Sequence, residues 1–416
     1  MSMEHYDVIV IGGGPAGMMA AGTAGARGKR VLLLEKNRML GKKLSITGGG
    51  RCNITNAEKD ERALLANYGD AEQFLYSPFS QFGMEATFQF FESRGLPLMV
   101  EAGKRAFPRS QSALEVTQVM KTYASTSGVT IRTGVRVEGF MVKAGKIVGV
   151  ETNNGKFTAA SFILASGGLS HQETGSTGEG IMWVKGLGHK VHDPNPDVVP
   201  LIVDEAWVKH LSGTSASFVK ITFSDMHNSP KLRFSRTGKI LFTHFGLSGP
   251  LILNATKDVK KILKHGHVRA YIDLFPDTDL GTVRNRVLGI FESNKNKTLK
   301  NIMKDIAPHG MDKAVLELLS SDLSETKVHS VSKEDRTALA DVMKAMPLTI
   351  TGTMGYDWAI VSDGGVELTE IDMKTMRSKL HDNLYITGDA LNISRPSGGY
   401  SLQLCWTTGY VAGQSV

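Results

Sequence analysis

Six residues near the N-terminus have the spacing of a phosphate-binding turn. Residues 12–17 read Gly-Gly-Gly-Pro-Ala-Gly, follow the apolar run 6–11 and open an alanine-rich stretch. This order predicts a strand, a glycine turn and a helix whose N-terminal N–H groups bind an anion. We expect Gly12 to allow the tight turn, Gly14 to let the backbone approach a pyrophosphate, and Gly17 to let helix and strand pack closely.

A second apolar run, residues 31–34, ends in Glu35. An acid roughly 20 residues after the glycine turn accepts hydrogen bonds from an adenosine ribose. Together the two motifs predict a dinucleotide-binding βαβ unit. Taken alone, they leave NAD, NADP and FAD open, as well as an ordinary glycine turn.

The far end of the chain narrows the choice to FAD. Residues 383–387 form an apolar run followed by Gly388-Asp389. In two-dinucleotide-binding-domain flavoproteins this pattern brings a carboxylate to the ribityl chain and pyrophosphate. Gly398, Gly399 and Tyr400 precede a predicted helix over 402–412, whose positive N-terminus suits the N1/C2=O end of the flavin ring and favours its reduced form.

Composition excludes several classes of protein. The 416 residues are 41% apolar and 21% charged, as in ordinary soluble globular proteins, and no segment resembles a leader or a membrane span. Only two cysteines are present, which argues against disulfides and zinc sites. The net charge of +7 is spread along the chain. We therefore expect a cytoplasmic protein with a small-molecule substrate, no metal, no nucleic-acid partner and no membrane; its oligomeric state stays open.

The pattern of strands and helices predicts an α/β chain. Strand-like runs between 129 and 165 predict a small antiparallel meander set into a parallel sheet, after helices over 83–94 and 112–127. Pro194 and Pro196 predict an extended crossing into a β-rich region that begins with a strand at 198–203. Apolar residues at helical spacing follow, which predicts helices. Strand-like runs return at 348–352 and 358–361.

We predict a Rossmann-like FAD-binding domain, an inserted β-rich domain and a small helical subdomain. The expected boundaries are 1–195 with 357–416 for the FAD domain, 196–279 with 343–356 for the inserted domain, and 280–342 for the helical subdomain.

The segment 40–56, Leu-Gly-Lys-Lys-Leu-Ser-Ile-Thr-Gly-Gly-Gly-Arg-Cys-Asn-Ile-Thr-Asn, resembles the signature of the BaiN/RdsA (YhiN-type) NAD(P)/FAD-dependent oxidoreductases. Residues 241–250, 369–380 and 398–403 are similar to the same family, so the resemblance runs nearly end to end. It implies an FAD domain made from both ends of the chain with an inserted β domain. It also implies either oxidation of small amines or reduction of unsaturated steroid acids.

The chain departs from that family around its last glycine pair. Most members have Gly-Glu, an acidic turn and Gly-Gly-Tyr-Asn, whereas this chain has Asp389, Arg395 and Ser401 at these places. We expect Asp389 still to serve the ribityl hydroxyls. Arg395 is expected to add positive charge close to the flavin ring.

A flavoenzyme needs groups near flavin N5, and four residues are candidates for acid–base or substrate contacts: His171, His244, Arg395 and Tyr400. Satisfied structural histidines are an equally good interpretation of His171 and His244, and a packed thiol is the better interpretation of Cys52. The segment 164–168 resembles one that passes along FAD in fumarate-reductase-like flavoproteins. No second glycine motif for a nicotinamide is present, although NAD(P)H as a transient reductant stays open.

The predicted FAD-binding residues lie in the glycine-rich segments, at strand ends and near the last helix: Gly12, Gly14, Pro15, Ala16, Gly17, Glu35, Lys36, Lys43, Thr47, Gly48, Gly49, Gly50, Arg51, Cys52, Asn53, Val137, Ser166, Gly167, Gly168, Gly388, Asp389, Gly398, Gly399, Tyr400 and Ser401.

The favoured function is an FAD-dependent oxidoreductase that transfers a hydride between flavin N5 and a small organic substrate, in a pocket between the FAD and inserted domains. The reaction is either amine oxidation or C=C reduction. Two alternatives are an NAD(P)H-dependent reductase that passes electrons to a protein acceptor and a flavin-binding protein without turnover.

Overall fold

A computed structural model describes residues 5–126, 128–319, 323–359 and 361–416. Ser127 and Ile360, at the end of one predicted helix and inside one predicted strand, lie outside the described residues. Residues 320–322 of the predicted helical subdomain do so as well.

The strands, numbered along the chain, are β1 (His5–Ile11), β2 (Val31–Glu35), β3 (Thr55–Asn56), β4 (Leu98–Glu101), β5 (Arg105–Pro108), β6 (Thr130–Thr133), β7 (Val137–Lys143), β8 (Lys146–Thr152), β9 (Gly155–Leu164), β10 (Val191–Asp197), β11 (Leu201–Val203), β12 (Ser215–Asp225), β13 (Phe234–Thr243), β14 (Gly246–Ser248), β15 (Val268–Asp273), β16 (Met346–Thr353), β17 (Val361–Val366) and β18 (Leu384–Ile386).

The α-helices are α1 (Pro15–Ala26), α2 (Glu61–Leu65), α3 (Glu72–Gln81), α4 (Met84–Glu92), α5 (Ala113–Thr126), α6 (Glu179–Gly186), α7 (Ala206–His210), α8 (Pro250–Leu263), α9 (Leu280–Ser293), α10 (Leu299–Ile306), α11 (Asp312–Leu318), α12 (Lys333–Lys344) and α13 (Tyr400–Ser415). Within the described residues, no helix is long and apolar enough to cross a membrane.

The chain divides into two compact units, Met1–Asp197 with Tyr356–Val416, and Val198–Gly355. The first unit contains a sheet of strand order β6-β2-β1-β9-β8-β7, with β18 also paired to β9. β1 runs parallel to β2 and β9, while β7, β8 and β9 form the antiparallel meander. Residues 8–11 of β1 and 31–34 of β2 are all apolar and buried, as expected where both faces of a parallel sheet are covered.

Small residues let α13 pack closely on α1. A Cβ atom added at Gly409 would lie 2.4 Å from the Ala16 carbonyl oxygen, and one at Gly413 would lie 2.6 Å from that of Ala20. Gly409 faces Ala16, and Gly413, four residues later, faces Ala20, which is also four residues later. The two helices therefore run in the same direction. Because Gly409 lies level with Ala16, residue 408 lies level with Pro15, the first residue of α1. Helix α13 begins eight residues earlier, at Tyr400, so its N-terminus extends about 12 Å beyond that of α1 at 1.5 Å per residue.

The second unit is built on a closed barrel of strand order β11-β14-β13-β12-β15-β16, whose neighbours are all antiparallel. Its core combines the inward side chains of these strands with apolar faces of α7–α12. Helices α9–α12 lie between β15 and β16 in the sequence.

Two predicted strands need correction. Residues 356–358 form a 3₁₀ turn, and the described strand β17 covers Val361–Val366. The hydroxyl of Tyr356 donates to the Pro194 carbonyl oxygen, 2.5 Å away, and this bond holds the turn. The strand predicted over 198–203 is limited to β11, because Val198 has a positive φ of 54°.

Candidate functional site

The glycine turn after β1 has three differently constrained positions. Gly12 has a φ of 106°, and a Cβ there would lie 2.4 Å from the Ala165 carbonyl oxygen. A Cβ at Gly17 would lie 1.8 Å from the Gly12 carbonyl oxygen, so this glycine allows the helix to meet the turn. A Cβ at Gly14 would meet nothing within 4 Å. The backbone is therefore open to a ligand at Gly14 and closed at the other two glycines.

A cleft opens at the carboxyl ends of the parallel strands β1, β2, β9 and β18, the usual place for a ligand in such sheets. It holds about 1250 Å³ of empty space, which includes open solvent at its mouth. Predicted FAD-binding residues that line it are Gly12, Gly14, Pro15, Ala16, Glu35, Lys36, Lys43, Thr47, Val137, Ser166, Gly167, Gly388, Asp389 and Ser401.

Two helix N-termini meet this cleft. Pro15 and Ala16 open α1, while Ser401 and Leu402 lie in the first turn of α13. Each N-terminus carries unpaired N–H groups and partial positive charge. The N-terminus of α13 lies about 12 Å beyond that of α1, which is the length of eight residues of helix. The cleft therefore has two separate points that favour an anion.

Glu35 is buried where β2 ends. Its Oε2 accepts a hydrogen bond from the Gly13 N–H at 2.7 Å, and its Oε1 accepts from the backbone and side-chain N–H groups of Asn37, both at 2.7 Å. The carboxylate therefore holds the glycine turn in place. Oε1 already accepts two hydrogen bonds, whereas Oε2 accepts one and has a second lone pair, with which the acid can also accept from a ribose at the cleft surface.

The polar groups of the cleft fit FAD. The hydroxyl of Ser166 is buried and has no hydrogen-bond partner within the described chain, and it belongs to a residue that lines the cleft. An unsatisfied buried hydroxyl is uncommon and calls for a ligand or a water molecule. With the open backbone at Gly14, the two helix N-termini and Glu35, the cleft has groups suited to a diphosphate and a ribose.

Lys43 adds a cation to the cleft wall. Its Nζ donates to the carbonyl oxygen of Ser170 at 2.6 Å and to the Ser170 hydroxyl at 3.1 Å. Burial lowers the pKa of the Lys43 ammonium, and the neighbouring carboxylate of Asp389 partly offsets that effect. On the adenosine side, Lys36 Nζ donates to Thr177 Oγ1 at 2.7 Å and forms an ion pair of 2.9 Å with Glu179.

Arg395, which is predicted to add positive charge close to the flavin ring, is held by partners within the chain. Its side chain is only 1% exposed, does not line the cleft, and forms an ion pair with Asp389. Its Nη1 donates to the Ile393 carbonyl oxygen at 2.7 Å, and its Nε donates to Ser401 Oγ at 2.9 Å. The charge of the guanidinium is thus compensated by Asp389, and its side chain is buried; its role near the flavin ring remains a prediction.

None of the other three catalytic candidates lines the cleft. His171 Nδ1 contacts Glu173 Oε1 at 2.9 Å. Tyr400 is buried against the ring of Tyr68, whose hydroxyl donates to the Tyr400 carbonyl oxygen at 2.9 Å. His244 is exposed in the barrel unit, in the turn between β13 and β14, with its ring beside that of Phe245. Their roles in catalysis remain predictions.

The middle of the glycine-rich loop lies outside the cleft lining. Gly49 and Gly50 have positive φ angles and open surroundings. The guanidinium of Arg51 lies 4.2 Å from the ring centre of Phe107 and pairs with Glu101. Cys52 is fully buried, and burial raises the pKa of its thiol, as expected for a packed residue.

The remaining predicted residues brace this loop against the last helix. Asn53, with its amide oriented to satisfy its neighbours, donates to the Thr55 carbonyl oxygen at 3.1 Å and accepts from the Gly399 N–H at 2.9 Å. Gly399 lies so close to β3 that a Cβ would be 2.3 Å from the Thr55 carbonyl carbon. Gly48, Gly168 and Gly398, like Gly17, are also absent from the lining.

Part of the cleft wall was not among the predicted FAD-binding residues, although the sequence placed residues 174–180 directly after the glycine segment at 164–168. Residues 174–180 line the cleft, followed by Trp183 on α6, and Cys405 lines it from α13. Gly175 and Gly178, with φ angles of 106° and 75°, are the signal that could have identified this segment. Within the described part of the chain, no group of three or more His, Cys, Asp or Glu could hold a metal ion.

Comparisons with known proteins identify the family of the chain. The model of the HI0933-like protein Rossmann domain matches residues 6–415. A 3-dehydro-bile acid delta(4,6)-reductase of Clostridium scindens is 31% identical over 412 residues, which cover 98% of each chain. A ribosomal RNA dihydrouridine synthase of Escherichia coli is 26% identical over 100% of this chain and 98% of its own.

Among solved structures, the chain resembles the 3-ketosteroid delta1-dehydrogenase of Sterolibacterium denitrificans. The TM-score is 0.55 at 13% identity, with 98% of both chains covered, and this likeness concerns the fold.

The family match and the full-length relative show that the chain is an FAD-dependent oxidoreductase with a Rossmann-type domain. Within that class, the chain belongs to the HI0933-like family, as the family match and the full-length relatives show. The resemblance in the glycine-rich segment 40–56 is thereby confirmed.

Proposed function

We propose that this flavoprotein reduces a carbon–carbon double bond conjugated to a carbonyl group. The observation that carries the proposal is the full-length relative at 31% identity, which is named as a delta(4,6)-reductase. The more distant relative is named as a dihydrouridine synthase, and dihydrouridine is uridine with two added hydrogens. Both names describe the reduction of an unsaturated ring that carries a carbonyl group.

In this proposal the chain's own residues bind and orient the cofactor. The N-terminus of α1 and the open backbone at Gly14 hold the diphosphate, while Glu35 accepts from the adenosine ribose. Asp389 and Ser166 serve the ribityl side, and the N-terminus of α13 faces the N1/C2=O end of the ring. When bound, FAD supplies a hydride at N5.

A single anaerobic experiment tests this function. The purified protein is reduced with one equivalent of dithionite and mixed with a steroid 4,6-dien-3-one, with the saturated 3-ketosteroid as the matched control. We expect return of the oxidised flavin band near 450 nm (about the usual position for flavin) with the dienone alone. Equal rates of return with both ketones would overturn the proposal.

The same preparation tests the other reactions. Bleaching of the oxidised protein by a small primary amine, with peroxide formed in air, supports amine oxidation instead. Rapid bleaching by NADPH without transfer to any alkene supports a reductase with a protein acceptor. Bound flavin that neither donates nor accepts electrons supports a binding role without turnover.

RNA is a second candidate substrate class, against the prediction of no nucleic-acid partner. The name of the Escherichia coli relative and the net charge of +7 both favour it. Helix α8 and the turn after it carry Lys257, Lys260, Lys261 and Lys264, a surface suited to a polyanion. Unmodified ribosomal RNA offered to the reduced protein separates the two classes, because dihydrouridine appears only if RNA is the acceptor.

A further inference from the structure

A buried ion pair lies behind the wall of the cofactor cleft. Asp389 follows β18 and lines the cleft, with its side chain 16% exposed, whereas its partner Arg395 is 1% exposed and lies behind it. Both side chains come from the short segment between β18 and α13. A charge pair this buried needs additional hydrogen bonds to offset its desolvation.

Arg395 has these bonds, and they reach a second wall residue. Its Nε donates to Ser401 Oγ at 2.9 Å, and Ser401 lines the cleft in the first turn of α13. Its Nη1 donates to the Ile393 carbonyl oxygen at 2.7 Å, which fixes the connecting segment. One guanidinium therefore joins Asp389, the segment after it and the start of α13.

The charges matter because FAD carries a diphosphate. Without Arg395, the Asp389 carboxylate would lose its ion-pair partner and keep only its electrostatic interaction with Lys43, so it would repel an anionic ligand more strongly in a partly dry site. Lys43, on the same cleft, interacts electrostatically with both Asp389 and Arg395. With Arg395 present, its positive charge balances the negative charge of Asp389. The ammonium of Lys43 then adds positive charge to this part of the wall.

We propose that Arg395 is a positioning residue for the cofactor, which neutralises Asp389 in the cleft wall and fixes Ser401 at the start of α13. It acts through these two residues and contacts neither substrate nor the reacting atoms. This inference rests on the proposed function only in requiring that the cleft binds FAD, and it is independent of the substrate.

A double-mutant cycle tests it on the full-length chain. FAD affinity and the midpoint potential of the bound flavin are measured for the wild type, R395M, D389N and D389N/R395M. We expect R395M to bind FAD about 100-fold more weakly, the range for truncating one partner of a buried charge pair. Its midpoint potential should fall, because an unpaired carboxylate disfavours the added electrons of the reduced cofactor.

The double variant decides between charge and scaffolding. If charge compensation is the role, D389N/R395M has about the FAD affinity and midpoint potential of D389N, although the bonds of Arg395 to Ser401 and Ile393 are still missing. R395K, which keeps the charge, should be intermediate. The matched control R236M, which removes an exposed arginine of the barrel unit paired with Asp258, should leave both quantities unchanged.

Three results would overturn the inference: R395M within threefold of the wild type, a loss of FAD affinity from D389N to the double variant as large as that from the wild type to R395M, or a double variant that fails to fold. Each assumes a wild type that binds FAD. A wild type that binds none would instead contradict the proposed function.

Discussion

At the scale of single residues, Gly14 and Gly17 have opposite constraints although both belong to the same turn. A side chain at Gly14 would extend into open space with an ordinary φ of −79°, whereas one at Gly17 would collide with the Gly12 carbonyl oxygen at 1.8 Å. We therefore expect that Gly14 is required for ligand binding and that Gly17 is required for folding. Mutation can separate these two requirements.

We predict that G14A folds normally and loses FAD, whereas G17A is unstable even without FAD. The added methyl group of G14A occupies space that a diphosphate would use, so FAD affinity should fall by about tenfold or more, or at least 1.4 kcal/mol. Thermal melts of the apo proteins and FAD titration measure the two effects. Gly186, which also has open surroundings, gives the control G186A. Normal FAD affinity in G14A would show that the diphosphate binds elsewhere.

Glu35 tests the ribose contact. E35A removes an acceptor of three hydrogen bonds from Gly13 and Asn37 and the proposed acceptor for the ribose. We expect FAD affinity to fall by about 1.5–3 kcal/mol, the usual value for a hydrogen bond to a charged group. The control is E325A, at an exposed ion pair of the barrel unit. Equal FAD affinity in E35A and E325A would contradict the role of Glu35.

At the scale of elements, a buried histidine joins the end of α6 to the segment between β17 and β18. His189 is fully buried, with Nδ1 at 2.8 Å from Glu370 Oε2 and Nε2 at 2.9 Å from Ser378 Oγ. Ser378 Oγ already accepts N–H bonds from Leu380 and His381, so its own proton points to Nε2. This arrangement requires a neutral imidazole.

The stability of the first unit should therefore depend on pH. Burial lowers the pKa of His189 below its usual value, and Glu370 only partly offsets this effect. Below about pH 6.5 the unfolded chain binds a proton that the folded chain excludes, so stability falls as pH falls from about 6.5 towards the folded pKa. The contribution of one proton is at most about 1.4 kcal/mol per pH unit.

Urea unfolding at pH 7.5 and 5.5 measures this effect. H189Q should reduce the loss of stability at the lower pH, while H210Q, at an exposed histidine of the barrel unit, should leave it as in the wild type. An unchanged loss in H189Q would assign the pH dependence to other groups.

The elements also show how far sequence patterns reach. The turn at residues 12–17 and Glu35 were predictable because a ligand constrains residues that are close in sequence. Strands β10 and β17 were harder, because they contain Pro194, Pro196 and Gly364-Gly365, which are poor strand formers. They form because each pairs with the other, and such tertiary pairing leaves no periodic signal.

The same limit applies to the candidate site. The contact of Asn53 with Gly399 and the pair of Arg395 with Asp389 depend on how the loops between elements fold. The sequence indicated that Arg395 was unusual, but it could not indicate that its charge is matched. The strand-like runs of the β-rich region likewise did not predict that the strands close into a barrel, because closure depends on which strands pair.

At the scale of the whole molecule, every residue that lines the cleft belongs to the first unit, although it comes from both ends of the chain. A ligand stabilises only the structure whose unfolding destroys its site. FAD should therefore stabilise the first unit specifically, and at 100 times its dissociation constant the gain is about 2.7 kcal/mol.

Hydrogen–deuterium exchange of the intact chain resolves this prediction by segment. Amides of β1, α1, β2 and α13 that exchange through unfolding of the first unit should slow by about 100-fold with FAD, because 1.4 kcal/mol corresponds to a factor of ten. Amides of the barrel strands β12, β13 and β15 should exchange at unchanged rates, since none of them contributes to the cleft.

AMP, which offers the ribose and one phosphate, should protect the glycine turn more than the N-terminus of α13. Equal slowing in the barrel would mean that the two units unfold as one, and no slowing at α1 would mean that FAD does not bind at the glycine turn.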